Sequence, residues 1–287
     1  MIKISIIVPF HNSLQYIEDC ITGLLSQNYP KEAYEVIMVD NNSSDASAEI
    51  VRKYDRIKLI SEEKPGPYAA RNKGISEAKG EIVAFTDSDC VPCSDWLREI
   101  EAAMTNPGTG IVVGSHRFAR DTFLLSLLEA YENERSNYVF NSMIKEIYYG
   151  HNNNMAVRKR LFDEIGPFVE RSRGADTIFV QRCVDRYSSE IVRYSSKIMI
   201  RHLEIHCLSK LFHKYFIYGH SRRKYKTMVS LRPLKNWERF QIFGRTVQGH
   251  SFSWIKASLL LVLLVIGLIF WALGDVNPYL NLRRMVD

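Results

Sequence analysis

The sequence predicts an α/β fold with a mostly parallel central sheet flanked by helices. Three short apolar segments, at residues 2–10, 35–39 and 82–85, have the length and composition of buried strands. Apolar residues at helical spacing lie between them, from Leu14 to Leu25 and from Tyr68 to Ala78. Strands that alternate with helices pair in parallel, so the carboxyl ends of these strands are expected to share one edge of the sheet.

Polar residues follow the predicted strands at the point where each strand ends. In chain order they are His11, Asn12, Asp40 and Asp87. The carboxylate of Asp40 only accepts hydrogen bonds, so it suits a ribose hydroxyl or the imide of a uracil base. Capping the next helix is its alternative role, although one of residues 43–45 could fill that role instead. We therefore expect a ligand site at this edge of the sheet.

Two carboxylates, Asp87 and Asp89, come directly after the last of these strands. Side chains two apart on an extended backbone point the same way, so both can converge on one hard cation. The alternative is a turn that caps a helix beginning near residue 94. Arg71, near a helix start, could pair with a phosphate or with a neighbouring acid such as Glu62.

The composition is that of an ordinary globular protein with a locally basic surface. The 287 residues carry a formal charge of +6, and 24% of them are charged. Basic residues crowd positions 222–245, which indicates an acidic partner surface. The five cysteines show no framework spacing, which indicates a reducing compartment, and Cys90 and Cys93 are interpreted as structural. The apolar segment at 4–10 is too short for a secretory signal peptide and no cleavage site follows it.

Residues 257–273 form an uncharged and mostly apolar segment. As a helix it would rise about 26 Å, just short of the roughly 30 Å hydrocarbon core of a membrane. Apolar residues cover every face and Trp254 and Trp271 flank it, so we predict a membrane helix at 257–274. A buried core helix or oligomer helix is the alternative.

Basic and aromatic residues alternate along residues 206–256, directly before the apolar segment. We interpret this region as an amphipathic segment on anionic lipid headgroups and expect no nucleic-acid partner. Its positive charge predicts that the preceding domain faces the cytoplasm. Arg283 and Arg284 beyond the far end weaken that prediction, and a tilted or half-inserted helix stays open.

Five motifs occur in a fixed order in the first third of the chain. They are Ile7-Val8-Pro9-Phe10-His11-Asn12, Val39-Asp40-Asn41-Asn42-Ser43-Ser44-Asp45, Ala70-Arg71-Asn72-x-Gly74, Ala78-Lys79-Gly80-Glu81 and Asp87-Ser88-Asp89. With these motifs the chain resembles the family 2 glycosyltransferases, closely over residues 2–95 and more loosely beyond them. The resemblance implies the GT-A fold, which binds nucleotide sugars, and sugar transfer with inversion.

The resemblance also implies a donor site and a general base. The donor-binding residues would be Pro9, His11, Asn12, Asp40, Asn42, Arg71, Asp87 and Ser88. Gly174-Ala175-Asp176-Thr177 resembles the family's Glu-Asp-Thr motif, which makes Asp176 the general base. Its alternative role is the N-cap of a helix predicted at 177–187. Ala175 departs from the family pattern, because an acid is usual there, and leaves a single carboxylate. His11 stands where an aromatic ring is frequent, and its imidazole can still stack on a base.

A divalent cation, Mg²⁺ or Mn²⁺, is the cofactor that the resemblance implies. Asp89 would be its direct ligand and Asp87 would contact the ribose or the water shell of the ion. His202 could be a third metal ligand or a phosphate contact, although a lone histidine after a strand is more often structural. The sugar and acceptor side is assigned to Asn153, Asn154 and Arg182. For the asparagines, simple turns are the alternative.

These predictions combine into one function with two alternatives. The predicted GT-A catalytic domain covers residues 1–205, with a nucleotide-binding half at 1–95 and an acceptor half at 96–205. It is followed by the amphipathic segment at 206–256, the membrane helix at 257–274 and a tail at 275–287. The function is a membrane-attached inverting glycosyltransferase that moves one sugar from a nucleotide-sugar donor, with UDP favoured, to a hydroxyl of a lipid-linked or cell-surface glycan acceptor.

Transfer of one sugar is favoured because the Gln-x-x-Arg-Trp motif of processive synthases is absent. One alternative is a membrane scaffold of the same fold that has lost catalysis, which Ala175 keeps open. The other is a sugar nucleotidyltransferase, which residues 9–13 disfavour because they contain no glycine for a phosphate loop.

Overall fold

A computed structural model describes residues 2–120, 122–171, 173–225 and 228–276. The described residues form one mixed sheet whose strands are β1 (Ile4–Phe10), β2 (Tyr34–Asp40), β3 (Ile57–Ser61), β4 (Ile82–Thr86), β5 (Cys90–Pro92), β6 (Ile111–Phe118), β7 (Asn154–Arg158) and β8 (Val192–His202). Their order is β3-β2-β1-β4-β7-β6-β8-β5. Four of these seven pairings are parallel, so the predicted fold class is confirmed.

The first four strands run in parallel and end at one edge of the sheet. β1 pairs with β2 as far as Phe10 and Asp40, and β2 pairs with β3 as far as Asp40 and Ser61. All seven residues of β1 are buried, as expected for a strand covered on both faces. The loops after β1, β2, β3 and β4 therefore gather at this edge, as the sequence predicts.

Helices cover both faces of the sheet. They are α1 (Ile17–Leu25), α2 (Ser47–Val51), α3 (Pro67–Glu77), α4 (Trp96–Ala103), α5 (Phe123–Asn141), α6 (Arg160–Ile165), α7 (Ala175–Tyr187), α8 (Leu208–Tyr225), α9 (Asn236–Gly249) and α10 (Trp254–Val276). One apolar core contains residues of α1, α2 and α4, and a second core contains residues of α3, α5 and α7. β1 contributes to both cores, because Ile6 and Ile7 point to opposite faces.

The second half of the sheet brings distant residues back to the edge where β4 ends. β7 runs antiparallel between β4 and β6, so Asn154 lies opposite Thr86. β5, directly after the Asp87-Ser88-Asp89 turn, pairs antiparallel with the end of β8, and Cys90 lies opposite His202. This pairing places the last residue of β8 beside the acidic turn.

The C-terminal helices pack into the same core as the rest of the chain. Leu211 and Tyr215 of α8, Ile242 of α9 and Leu260 and Leu263 of α10 are buried members of the core on the α5 face. Residue 205 is therefore not a boundary between two cores. α10 is longer than the predicted segment, and residues 277–287, with Arg283 and Arg284, lie outside the described residues.

α8 and α10 cross at close range through glycines. A Cβ atom on Gly219 would lie 2.0 Å from the carbonyl oxygen of Trp271, and one on Gly274 would lie 2.0 Å from that of Phe216. Among the described helices, α10 alone is long and apolar enough to cross a membrane. Its outer face is apolar and exposed at Leu261, Val262, Val265, Leu268, Ile269, Leu273 and Val276.

Candidate active site

The acidic turn after β4 is anchored by a buried arginine. Arg71 of α3 is 5% exposed, and its guanidinium donates to Asp87 Oδ1 at 2.5 Å. The neighbouring acid is therefore Asp87 and not Glu62, which was the example expected from the sequence. A buried cation held this way fixes the orientation of one carboxylate at the sheet edge.

Asp176 lies on the same side of the molecule as the acidic turn. Its Oδ1 accepts from the Tyr68 hydroxyl at 2.8 Å, and the Tyr68 ring lies 5.1 Å from the guanidinium carbon of Arg71. Tyr68 and Arg71 thus connect Asp176 to Asp87 through successive contacts. Burial and the nearby Asp176 raise the pKa of Tyr68 well above its usual value, so Tyr68 remains a hydrogen-bond donor.

α7 begins at Ala175, two residues before the predicted start, so Asp176 lies in its first turn and is not the N-cap. The N-cap is Gly174, whose φ of 82° is readily adopted by glycine. Ala175 is fully buried in the apolar core, where an ionised acid would be desolvated. At the position where the family motif has an acid, this chain thus has an alanine, Ala175, that packs in the core.

Asp89 and His202 form a pair with the geometry of a cation site. His202 Nδ1 lies 3.5 Å from Asp89 Oδ2 and has no hydrogen-bond partner in the described parts of the chain. Burial and the nearby Asp87 raise the pKa of Asp89 to about 7, and burial lowers the pKa of His202 to about 3. A neutral imidazole nitrogen and a carboxylate at this spacing can both bond to one divalent ion, so these residues fit the implied Mg²⁺ or Mn²⁺.

Cys90 belongs to the same cluster, which the sequence interpretation missed. Ligand atoms of Asp89, Cys90 and His202 lie within 4.8 Å of one another. The thiol points at Asp89 Oδ1 with 3.4 Å between the atoms, and burial raises its pKa well above the usual value. We therefore interpret Cys90 as a hydrogen-bond donor to Asp89, since a protonated thiol is a poor ligand for a hard cation.

Lys214 of α8 is a second residue that sequence reasoning did not find. Its ammonium lies 2.9 Å from His202 Nε2 and 2.8 Å from Glu204 Oε2. Burial alone would lower the pKa of Lys214, but Tyr218, Asp89 and Glu204 raise it above its usual value, so the side chain is charged. No spacing pattern indicates this residue, because it reaches the site only through the packing of α8.

The loops after β1, β2 and β3 hydrogen-bond to one another, and we call residues 11–13, 40–45 and 62–66 the strand-end wall. Asn12 accepts from Ser44 N at 2.8 Å through Oδ1. Asn41 donates to the carbonyls of Glu62 and Lys64, both at 2.8 Å, and accepts from Gly66 N at 2.7 Å. Asn42 donates to the carbonyl of Glu63 at 2.9 Å.

These contacts change the roles of three residues that the resemblance assigned to the nucleotide-sugar site. The side chains of Asn12 and Asn42 are used inside the strand-end wall, so they shape the site and are not free donor contacts. Pro9 is a buried strand residue paired with Val39 and does not end β1. Asn41 was missed, although an asparagine in a loop after a strand is a frequent cross-link.

Three other residues that the resemblance assigned to the nucleotide-sugar site keep polar groups that can contact a ligand. Asp40 uses Oδ1 to accept from Ser43 N at 3.0 Å, while Asp45 accepts from the backbone of Ser47, the first residue of α2, and Ala46 is the N-cap. His11 is exposed, and its Nδ1 lies 2.9 Å from the carbonyl of Asn41. The Ser88 hydroxyl shares a 2.7 Å hydrogen bond with the hydroxyl of Ser13.

A second group of buried polar atoms lies without partners among the described residues, and we call His116, His151, Asn152 and Asn153 the histidine wall. Within the described ranges, no hydrogen bond reaches Nδ1 of either histidine, either side-chain group of Asn152 or Oδ1 of Asn153. The two imidazole centroids lie 5.7 Å apart. Burial lowers the pKa of His151 to about 4 and that of His116 well below its usual value, so both rings are neutral.

The histidine wall adjoins Asp176, because Asn152 N lies 3.4 Å from Asp176 Oδ2. Unsatisfied buried polar groups are uncommon and indicate a place where a polar ligand or water binds. The prediction of Asn153 in the sugar site is consistent with this position.

The structure contradicts the roles predicted for two residues. Asn154 is fully buried, and it accepts from Trp96 Nε1 at 2.8 Å and donates to the carbonyls of Ser115 and Ile198. Its amide is thus a core cross-link and cannot reach a sugar. Arg182 is exposed and follows Asp176 by six residues, which places it about 240° around α7 and away from the site.

The chain is similar in sequence to known glycosyltransferases. The family model "Glycosyl transferase family 2" matches residues 5–166. Glycosyltransferase AglE of Haloferax volcanii is 35% identical over 192 residues, which are 63% of this chain and 61% of AglE. Poly(ribitol-phosphate) beta-N-acetylglucosaminyltransferase TarS of Staphylococcus aureus is 38% identical over 107 residues, which are 36% of this chain and 19% of TarS. The chain therefore spans about three fifths of the first relative and about a fifth of the second.

Solved structures share the fold at low sequence identity. The mannosyltransferase PcManGT of Pyrobaculum calidifontis, in complex with GDP-Man and Mn²⁺, superposes with a TM-score of 0.62 at 19% identity, covering 95% of this chain and 84% of that one. Glucosyl-3-phosphoglycerate synthase of Mycobacterium tuberculosis gives a TM-score of 0.58 at 17% identity, covering 80% and 81%. The GT-A architecture thus extends over most of the chain.

Proposed function

The chain belongs to glycosyl transferase family 2, and from this premise we propose that it transfers one sugar from a nucleotide-sugar donor to an acceptor hydroxyl with inversion at the anomeric carbon. The contact series Asp176, Tyr68, Arg71 and Asp87 carries this proposal. It holds a carboxylate that can act as a base on one side of the cleft and the acidic turn on the other. Direct displacement needs this arrangement, because the base and the leaving group lie on opposite faces of the sugar.

The residues divide the reaction between them. Asp176 takes the proton of the acceptor hydroxyl while the acceptor oxygen forms a bond to the anomeric carbon. The bond from that carbon to the β-phosphate oxygen breaks, and the nucleoside diphosphate leaves with the electron pair. Tyr68 and Thr177 N both donate to Asp176 Oδ1, at 2.8 and 2.9 Å, and leave Oδ2 toward the histidine wall.

Asp89 and His202 are the residues that would hold the divalent cation. When bound there, a divalent ion stabilises the negative charge that develops on the departing diphosphate. Arg71 holds the carboxylate of Asp87 in a fixed orientation beside this site. Imidazole together with carboxylate favours Mn²⁺ over Mg²⁺, since Mg²⁺ prefers oxygen ligands.

The strand-end wall is proposed as the nucleotide site and the histidine wall as the sugar site. Asp40 and His11 suit a uracil nucleotide, through acceptance from the imide or a ribose hydroxyl and through ring stacking. The unpaired donors and acceptors of His116, His151 and Asn152 match the alternating donors and acceptors of sugar hydroxyls. TarS was solved with UDP-GlcNAc, which agrees with a UDP-linked donor.

We also propose that the chain attaches to the cytoplasmic face of a membrane through the outer face of α10. The inner face of this helix is buried at Leu260, Leu263, Gly267 and Gly274, spaced along most of its length. A helix that packs lengthwise on its own domain is suited to lie in the interface, with its apolar side in the lipid. Trp254, 78% exposed, and the basic residues near it fit the headgroup region, and a lipid-linked acceptor would then meet the active site.

A donor screen tests the proposed reaction. Purified full-length protein is incubated with UDP-glucose, UDP-N-acetylglucosamine, UDP-galactose or GDP-mannose and Mn²⁺, and release of the nucleoside diphosphate is measured with and without EDTA. We expect slow hydrolysis of one donor that EDTA abolishes. A scaffold without catalysis would release no diphosphate from any donor, and a nucleotidyltransferase would release pyrophosphate from a nucleoside triphosphate and a sugar phosphate.

Vesicle flotation tests the membrane proposal. Binding to vesicles of 3:1 phosphatidylcholine and phosphatidylglycerol is compared with binding to pure phosphatidylcholine, for the native chain and for Val262→Asp on the outer face. We expect binding to the anionic vesicles that the charged substitution lowers at least tenfold, because a buried carboxylate is costly in lipid. Equal binding by both proteins would contradict attachment through this face.

A further inference from the structure

Lys214 contacts the cation site from outside the segment that the family model matches. It lies on α8, whereas the matched segment ends at residue 166. Its ammonium lies between His202 Nε2 at 2.9 Å and Glu204 Oε2 at 2.8 Å, with 18% of the side chain exposed. A positive charge thus stands directly behind a residue that would bind a cation.

This contact fixes where the His202 ring carries its proton. An ammonium group has three donors and no acceptor, so Nε2 must accept from Lys214. A neutral imidazole has one donor and one acceptor nitrogen, which places the proton on Nδ1. Nδ1 is the nitrogen that faces Asp89 Oδ2. In this tautomer, the lone pair that a metal ion needs at Nδ1 is absent.

We propose that Lys214 and a divalent cation compete for His202. The hydrogen bond between Lys214 and His202 and the binding of the ion exclude each other. An ion bound through Nδ1 moves the ring proton to Nε2, where it meets the donors of Lys214. An ion bound through Nε2 displaces the ammonium directly. In both cases Lys214 moves away from His202 and keeps its hydrogen bond to Glu204. The inference rests on the proposed function only for the identity of the site.

The position of Lys214 depends on the crossing of α8 and α10. The Gly219 and Gly274 contacts hold the two backbones together about one to two turns beyond Lys214. Movement of α10 on its neighbours would therefore move the ammonium relative to His202. In this way a C-terminal segment without ligand residues of its own sets the affinity of the cation site.

Mn²⁺ titration of the full chain without nucleotide tests the proposal by calorimetry. Lys214→Met removes the competing charge and the donor, and we expect Mn²⁺ to bind about five- to twentyfold more tightly, as removal of a nearby like charge predicts. Lys210→Met is the matched control, since it removes the same charge from the same helix one turn away. We expect the control to stay within twofold of the native protein. Unchanged or weaker binding by Lys214→Met would overturn the proposal.

A second measurement is made on the native protein itself. Long-range ¹H–¹⁵N correlation spectra of the native protein report the tautomer of His202, assigned by comparison with His202→Gln. We expect the Nδ1–H tautomer without metal and loss of that pattern on addition of Mg²⁺. An Nε2–H tautomer in the metal-free protein would overturn the proposal. Failure of the donor screen would instead concern the reaction, because neither measurement uses a nucleotide sugar.

Discussion

The two walls of the cleft differ in how their polar groups are satisfied. The strand-end wall is built from three loops close in sequence, and its asparagines and serines hydrogen-bond to one another. The histidine wall is built from β6 and the loop before β7, and its polar atoms are buried without partners among the described residues. The first wall is thus preformed, whereas the second needs a ligand or water to complete it.

The proposed chemistry depends on the carboxylate of Asp176, which adjoins the histidine wall. Asp176 carries the base function alone, because Ala175 is a core residue. We predict that Asp176→Asn lowers kcat about 10²- to 10⁴-fold while donor affinity stays within about twofold, since a base acts in the transition state. Steady-state kinetics and calorimetry measure the two effects. Asp185→Asn, an exposed position of the same helix, is the control and should behave as the native protein.

Matched substitutions in the two walls test the comparison directly. Asn41→Leu removes three hydrogen bonds from the strand-end wall, and we expect the free energy of unfolding to fall by about 2–3 kcal/mol. Asn152→Leu removes two unpartnered groups from the histidine wall, and the same quantity should rise by up to about 1 kcal/mol in the ligand-free protein. Urea unfolding measures both. A loss at Asn152 as large as that at Asn41 would remove the distinction between the walls.

The free energy of unfolding at acidic pH depends on the histidine wall. Burial depresses the pKa of His151 to about 4, so at lower pH the unfolded chain takes up a proton that the folded protein resists. The stabilisation is full above the unfolded pKa of about 6.5 and is lost as the pH falls toward 4. We expect a loss of up to about 3 kcal/mol over this range in urea titrations. His151→Gln should flatten the slope, and an unchanged slope would show that His151 does not contribute.

The C-terminal helices allow a smaller test of the same architecture. Gly219→Ala adds a Cβ that would meet the Trp271 carbonyl at 2.0 Å, so we expect a loss of about 1–2 kcal/mol in unfolding free energy. Gly244→Ala in α9 meets nothing within 4 Å and should instead stabilise by about 0.5–1 kcal/mol through helix propensity. If both substitutions changed the free energy of unfolding in the same direction, the close crossing of α8 and α10 would be contradicted.

The smallest effect is expected at Arg182. The family resemblance assigned it to the acceptor side, but it is exposed and points away from Asp176. We predict that Arg182→Ala changes kcat/KM by less than about twofold, as is usual for an exposed side chain remote from the site. A tenfold loss in steady-state kinetics would restore the role that the motif suggested.

Local patterns predicted the strand-end wall well. Buried apolar runs identified β1, β2 and β4, and the parallel arrangement placed the residues that follow them at one edge. The short i, i+2 spacing also identified Asp87 and Asp89. What local patterns could not show was how the side chains are used. The amides of Asn12 and Asn42 close loops, and that depends on partners 32 and 21 residues away in the sequence.

Residues brought in by tertiary packing were beyond the reach of spacing arguments. Lys214 reaches His202 through a side-chain contact between α8 and the last residue of β8, and His116 and His151 meet because β6 and β7 are neighbours. Asn154 shows the reverse case, since its motif suggested a sugar contact and its burial beneath Trp96 made it structural. The motif fixes the position of a residue in the fold, and packing decides which groups remain free.

The anomeric configuration of the product tests the central claim most directly. A single base at Asp176 and no carboxylate at residue 175 allow direct displacement, which inverts the anomeric carbon. With the donor identified by the screen and a simple alkyl alcohol as acceptor, the one-bond ¹³C–¹H coupling constant at the anomeric carbon gives the configuration. We predict a β-linked product from an α-linked donor. An α-linked product would contradict the assignment of Asp176 as the base of an inverting reaction.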